Sequence, residues 1–278
     1  MNPRAHAGVY NVWIAMFDFV FDFPLVIAGP VIVASLCLFG LIGLAVVRRR
    51  VLPRLHIDTT DAEFSSAMLQ GVMVFYGLAV ALIAVNVWQS ASDVSKIITQ
   101  EATALNVLYR DVTSYPEPIR SELQSVLRDY TNDLIHVAWP LQRQGKIASG
   151  GFHQMGRFQT MLGAFEPATE GQKLLHGETL RAYGQFIQAR RLRLDAAVGT
   201  GLSAILWLTI IMGALISLTS AFFFKVEDVR LQGIQVVLLA AFIGLIIFMI
   251  FALDRPFRGD FGVRPDPYQL IYDQLMKP

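Results

Sequence analysis

Four long stretches of this chain contain no ionisable side chain, and they limit what it can fold into more than any other feature. They run from Pro24 to Val47, Ser66 to Trp88, Val198 to Phe224 and Leu231 to Leu253, and none holds Asp, Glu, Lys, Arg or His. About 20 apolar residues of helix cross a hydrocarbon core. Only helices and closed barrels satisfy every backbone group there, and no period-2 strand pattern is present. The sequence therefore predicts an all-α integral membrane protein with four transmembrane helices. Only 16% of the residues are charged, against roughly 25% in a soluble domain. The polar residues cluster outside the four blocks.

That clustering divides the chain into an N-terminal interfacial segment (1–23), spans one and two (24–88), an extramembrane helical domain (89–197), spans three and four (198–253) and a C-terminal tail (254–278). The stretch Val9 to Phe23 is apolar but carries Asp18 and Asp22, unlike a signal peptide core. It reads as a helix lying at the interface, with Trp13 near the headgroups. In the insert, Ile98, Ala102, Leu105, Leu108 and Val112 recur at helical spacing, as do Ile119, Leu123, Val126, Tyr130, Leu134 and Val137. Pro116 and Pro118 separate these two helices, and Pro140 ends the second. A short helix over 152–165 and a last one over 168–196 follow. Spans two and three are expected to continue unbroken into the insert and so to form part of it.

Composition excludes several functions. A net charge of +1 gives no nucleic-acid footprint. The single cysteine, Cys37, can form no disulfide within the chain. His136, His153 and His176 are solitary, no nucleophile elbow or phosphate loop occurs, and no cofactor motif is present, so an enzyme is not expected. Ion-coupled transporters keep ionisable groups within the membrane, and these spans have none. Small residues form two ridges, Gly77–Ala81–Ala84 and Gly213–Ser217–Ser220, which pack either within one subunit or against a neighbour.

Four spans this apolar cannot enclose water alone, so a pore requires several copies around an axis. Span two is the candidate pore helix. Ala79, Ile83, Asn86, Ser90, Asp93 and Ile97 follow at helical spacing, apolar below and polar above, which suits a dry constriction under a polar vestibule. A polar patch where a helix leaves the membrane accounts for the same stripe. The short-loop Lys and Arg count sets orientation. Arg48, Arg49, Arg50, Arg54, Lys225 and Arg230 lie on one side, and Arg4, Arg255, Arg258 and Arg264 on the other. This places both termini and the insert outside the cytoplasm, in a cell (inner) membrane.

Two stretches carry a family resemblance. "TQEATALNVLYRDVTSYPEPIRSELQSVLRDY", from Thr99 to Tyr130, resembles the helix after the second span of bacterial bestrophin-like membrane proteins, through Glu101, Ala102, Tyr109, Arg110, Pro116 and Pro118. "LDRPFRGDFGV" with "PDPYQLIYDQL" is similar to a second signature after the last span, through Arg255, Pro256, Phe257 and Gly259. The resemblance implies a homo-oligomer in the lipid bilayer, with a pentamer as the expected assembly, that conducts small anions such as chloride and carries a large cytosolic helical part. A cation-selective channel and a non-conducting sensor or interaction protein are the competing readings. Glu101, Arg110, Asp254, Arg255, Arg258 and Asp260 are expected either to brace the tail against the insert or to form a charged ring. Glu101 and Arg110 are the candidate partners for the tail charges.

Overall fold

The computed structural model describes residues 25–54, 59–148, 150–199, 201–223, 228–258 and 262–277. The expected interfacial segment, with Trp13, and the ring candidate Asp260 lie outside these residues. Among the described residues the chain is helical, and four helices are long and apolar enough to cross a membrane.

The first span is α1, Leu25–Val46, followed by a π turn at Val47–Val51 that carries Arg48, Arg49 and Arg50. The second is α2, Thr59–Val112, a single helix of 54 residues. At 1.5 Å per residue it is about 80 Å long, far more than the ~30 Å that a hydrocarbon core requires. No proline interrupts it, and its last turn closes where Thr113 N–H bonds Arg110 C=O, just before Pro116. Span two thus continues into the insert as the sequence predicts.

Span three does not. Helix α6, Glu170–Gly199, ends before α7, Ala204–Ser220, begins. Gly201 between them has φ +142°, a conformation that side chains with a Cβ avoid. Ser203 then caps α7, its Oγ accepting from Leu206 N–H. The glycines at 199 and 201 are the punctuation that an unbroken reading overlooks. Pro140 also behaves differently from expectation. Helix α3, Ile119–Asp133, runs through a π turn at Leu134–Ala138 into α4, Trp139–Arg143, which holds Pro140 in its first turn. The backbone stays helical at Asp133, Ala138 and Trp139, so the chain passes Pro140 without ending, and the wider π turn just before it is where the regular hydrogen-bond ladder is interrupted. Helix α5 is Gly150–Gly163, α8 is Val229–Asp254, and α9 is Asp266–Ile271, prolonged by a π turn to Met276.

The chain forms two compact units. One contains the residues through Gln89 together with Gly201–Arg255; the other contains Ser90–Thr200 and Pro256–Pro278. The first unit buries Ala28, Val80, Ala84, Val87, Trp207, Ile210, Ala214 and Ile243 in one cluster. Close approach governs its geometry: a Cβ at Gly213 would overlap the Tyr76 ring, whose hydroxyl donates to Ile210 C=O at 3.0 Å. Ser217 and Ser220 are buried as well, so that ridge is used within the chain. Of the other ridge only Ala84 is buried, and Gly77 and Ala81 are exposed. Arg48 Nη1 donates to the buried Gln232 Oε1 at 2.7 Å, a polar link between the ends of spans one and four. The second unit packs α3, α5, α6 and α9 with the second half of α2 around Ile98, Leu105, Leu108, Leu127, Phe158 and Phe186.

Candidate functional site

Two features of α2 bear on function, and both follow from its periodicity. Its buried row in the membrane unit is Val80, Ala84 and Val87, and the same row continues in the insert as Val94 and Ile98. Each of the residues Ala79, Ile83, Asn86, Ser90, Asp93 and Ile97 precedes a position of this row or of its continuation through Ala91. One residue is a turn of about 100° round the helix, so the stripe lies beside the packed face, and Ile83 reaches into its edge. Ala79, Asn86, Ser90 and Asp93 are exposed, and Ile83 and Ile97 are half-buried. Asp93 accepts from Lys96 Nζ at 2.9 Å on the open surface.

Two turns further on, α2 carries a carboxylate into the insert core. Glu101 follows Ile98 by three residues and precedes Leu105 by four, which puts it on the apolar face, and it is 0% exposed. A buried carboxylate needs a cation and hydrogen-bond donors to be tolerable. Arg193 of α6, 1% exposed, supplies both: its Nε donates to Glu101 Oε2 and its Nη2 to Oε1. Tyr130 of α3 donates to Oε1 at 3.1 Å, and Tyr268 of α9 donates to Oε2 at 2.9 Å. Arg193 Nη1 also donates to Gln142 Oε1 at 2.8 Å. Four helices and α4 are thereby tied to one carboxylate. Burial, reinforced by the Glu101 charge, pushes both tyrosine hydroxyls well above their ordinary value of 10.0. Burial alone would lower Arg193, but the adjoining Glu101 charge outweighs it and the guanidinium is held cationic.

The tail closes over this knot. Trp139 stacks near Phe257 and Tyr268, with centroids 5.7 and 5.8 Å away, and its Nε1 donates to Val263 C=O at 3.3 Å. Val263 N–H in turn bonds Pro256 C=O at 2.7 Å. The two signature stretches therefore meet through Tyr268 and Glu101.

The charged candidates are placed differently from one another. Glu101 pairs with Arg193, not with Arg255 or Arg258. Arg110 is exposed and forms no ion pair among the described residues. Arg258 Nη2 donates to Gln144 C=O at 3.2 Å. Asp254 is buried in the membrane unit, where its carboxylate accepts from Leu202 N–H at 2.6 Å and Trp207 Nε1 at 3.2 Å. It thereby holds the start of α7. Arg255 follows it, half-buried. His176 Nδ1 lies 2.8 Å from the Tyr115 hydroxyl, and His136 lies against Asn132 C=O. Among the described residues no group of three His, Cys, Asp or Glu side chains is placed to hold a metal.

The sequence reading missed Arg193, Tyr130, Tyr268 and Gln142 as partners. The available signal was a pair of charges on apolar faces: Glu101 in the row Ile98–Leu105, and Arg193 in the row Ala182–Phe186–Arg190.

The family model described as the Bestrophin-like domain matches residues 34–268. No curated protein matches the chain. Among solved structures the chain resembles two point variants of a bacterial bestrophin homolog from Klebsiella pneumoniae. One shares 12% identity at a TM-score of 0.60, covering 88% of this chain and 96% of its own. The other shares 11% at 0.59, covering 89% and 98%. A further crystal structure, described only as a membrane protein variant, shares 12% at 0.59, covering 88% and 96%. At these identities the likeness is one of fold.

Proposed function

The chain belongs to the bestrophin-like family, and from that premise we propose that it is a homo-oligomeric ion channel with α2 nearest the shared axis. The observation that supports this reading is the stripe from Ala79 to Ile97, in which Ala79, Asn86, Ser90 and Asp93 are exposed and Ile83 alone packs against the core beside it. Among the described residues the membrane unit holds a cavity of about 100 Å³ lined by Met73, Tyr76, Val80, Leu239, Phe242 and Ile246 among others. That space is apolar and far too small to cross a bilayer. Copies arranged around an axis, five by the family resemblance, would place Asn86, Ser90 and Asp93 above Ala79 and Ile83, giving a wet mouth over a dry neck.

The family resemblance favours small anions such as chloride as the permeant species. Asp93 favours the reverse, since a ring of carboxylates at a mouth attracts cations. Recording from purified protein in planar bilayers under a KCl gradient separates the two, because the sign of the reversal potential names the preferred ion. Single-channel steps together with an oligomeric native mass are expected. Silence from a preparation with a monomeric mass would leave only the non-conducting sensor reading.

The short-loop charge count favours the insert and termini outside the cytoplasm; Arg190, Arg191 and Arg193, close before span three, weigh against it, and of these Arg191 is exposed. The cytosolic helical part implied by the family resemblance argues the other way. A Lys146→Cys substitution in a Cys37→Ser background, probed with a membrane-impermeant thiol reagent on intact cells, decides between them. Labelling supports the outside placement and protection overturns it.

A further inference from the structure

Three residues before Arg193, the same helix buries a second arginine that has no carboxylate. Arg190 is 7% exposed, and its Nε has no hydrogen-bond partner. Its guanidinium lies over the Phe152 ring at 4.6 Å and near the Tyr130 ring at 5.9 Å. Ring faces attract a cation, yet they leave its N–H edges unsatisfied, and a buried donor without an acceptor costs about 1–3 kcal/mol. Helix α5, 14 residues long, starts beside it: a Cβ built on Gly151 would lie 3.1 Å from Arg190 Nη2. A helix start carries a positive partial charge and free N–H groups. Arg190 and the start of α5 thus border one small space, whose one carboxylate, Asp133, already accepts from Gln154.

The space exists. A cavity of about 100 Å³ is lined by Tyr130, Asp133, Gln142, Gly151, Gln154 and Arg190, among others. Gln154 adds a second requirement. Its Nε2 donates to Asp133 Oδ2 at 2.6 Å, which fixes the other amide atom as an acceptor, and that Oε1 is buried without a donor. The nearby Arg193 is already engaged by Glu101 and Gln142.

We infer that this cavity binds a small monovalent oxyanion that carries its own O–H, such as bicarbonate or glycolate. The charged oxygens would accept from Arg190 and from the amides at the start of α5, and the O–H would donate to Gln154 Oε1. The site lies wholly within the insert and stands whether or not the chain conducts.

The test uses the full-length protein in detergent, titrated with sodium bicarbonate or sodium glycolate at constant ionic strength. Hydrogen exchange of the amides at 150–154 is followed alongside the melting temperature. Formate serves as the anion without a donor, and gluconate as the hydroxy acid too large for the cavity. Saturable protection by bicarbonate or glycolate is expected, about tenfold weaker for formate and absent for gluconate. Bicarbonate alone, glycolate alone or both together would each support the inference and would identify the size accepted. Arg190→Met keeps an apolar stem against Phe152 and removes the charge; it should weaken binding by about tenfold or more. Should that variant fail to fold, Gly151→Ala narrows the site from the opposite side and should weaken binding while leaving Arg190 in place. Equal protection in whichever variant folds, or no saturable protection of the wild type up to about 50 mM, overturns the inference.

Discussion

The two units of this molecule are both all-helical, yet they specify their packing by opposite means. The membrane unit relies on shape: Gly213 admits the Tyr76 ring, Ala84 and Ala214 lie in its core, and single polar links, Arg48 to Gln232 near helix ends and Tyr76 to Ile210 in mid-helix, supplement the fit. The insert relies on an unpaired charge being intolerable: Glu101 can be buried only where Arg193, Tyr130 and Tyr268 converge. The contrast follows from solvent. Lipid is as apolar as leucine, so burial alone selects no partner between membrane helices, and close fit must do so. In water burial drives collapse without discrimination, and a buried polar cluster that has one satisfactory arrangement can select among collapsed states. For the insert this is a hypothesis about specificity, and it can be broken.

The largest expected effect comes from Glu101→Gln. It leaves the Arg193 cation buried without a counter-charge, at a cost of about 3–5 kcal/mol. Hydrogen exchange should rise throughout α3, α6 and α9, while the amides of α8 in the membrane unit remain protected. Pairing it with Arg193→Met removes the unpaired cation and should recover most of the loss, since the cost of breaking a buried ion pair lies mainly in the charge left behind. A double variant as unstable as the single would show that the network does more than neutralise itself. High pH perturbs the same knot without mutation. Tyr130 and Tyr268 hold their protons more tightly folded than unfolded, because burial and the Glu101 charge raise both. Their contribution is therefore complete below pH 10 and is lost as pH climbs beyond it. With two protons held by the folded state and released by the unfolded one, the slope is about −2.7 kcal/mol per pH unit. Denaturant titrations of wild type and of a Tyr268→Phe variant between pH 9 and about pH 11 should differ in slope by about one proton's worth. Identical slopes would remove Tyr268 from the account.

For the membrane unit the matching test is Gly213→Leu, which drives a side chain into the Tyr76 ring. Overpacking costs about 1–3 kcal/mol. Protection should fall along α7 and the first half of α2, with α3 and α5 unchanged. Loss of protection in the insert instead would mean that the two units do not fold by separate rules.

These cases show what the sequence made legible. The spans were plain because hydrophobicity over 20 or more residues is a one-dimensional signal, and the continuity of α2 followed from the lack of any breaker after Gly77. The break before α7 was written at Gly199, Gly201 and Ser203, but inside an apolar block, where composition masks it. The knot was harder. That Glu101 sits on an apolar face is local information, and so is the placement of Arg193. That they meet across 92 positions is not, and Tyr268 lies in the second signature stretch without anything local that ties it to Glu101. The expected packing of the tail against the insert favoured Arg255 or Arg258 for Glu101; the fold pairs it with Arg193.

The smallest effect on stability is expected where the effect on function should be greatest. Asp93 and Lys96 pair at 2.9 Å, but their side chains are 64% and 67% exposed. Such surface pairs contribute roughly 0–1 kcal/mol, so Asp93→Asn should leave melting behaviour nearly unchanged. The charge itself is another matter if copies of α2 surround an axis, because each copy then brings one carboxylate to the same mouth, and the substitution removes all of them together. The reversal potential under a KCl gradient should move toward anion preference, and single-channel conductance for potassium should fall. A residue that merely decorates the surface of a helix would change neither. Unaltered selectivity in a conducting, oligomeric Asp93→Asn protein would move the axis to another face of α2 and free the stripe from any role in permeation, while leaving the contrast between shape and charge in the two units untouched.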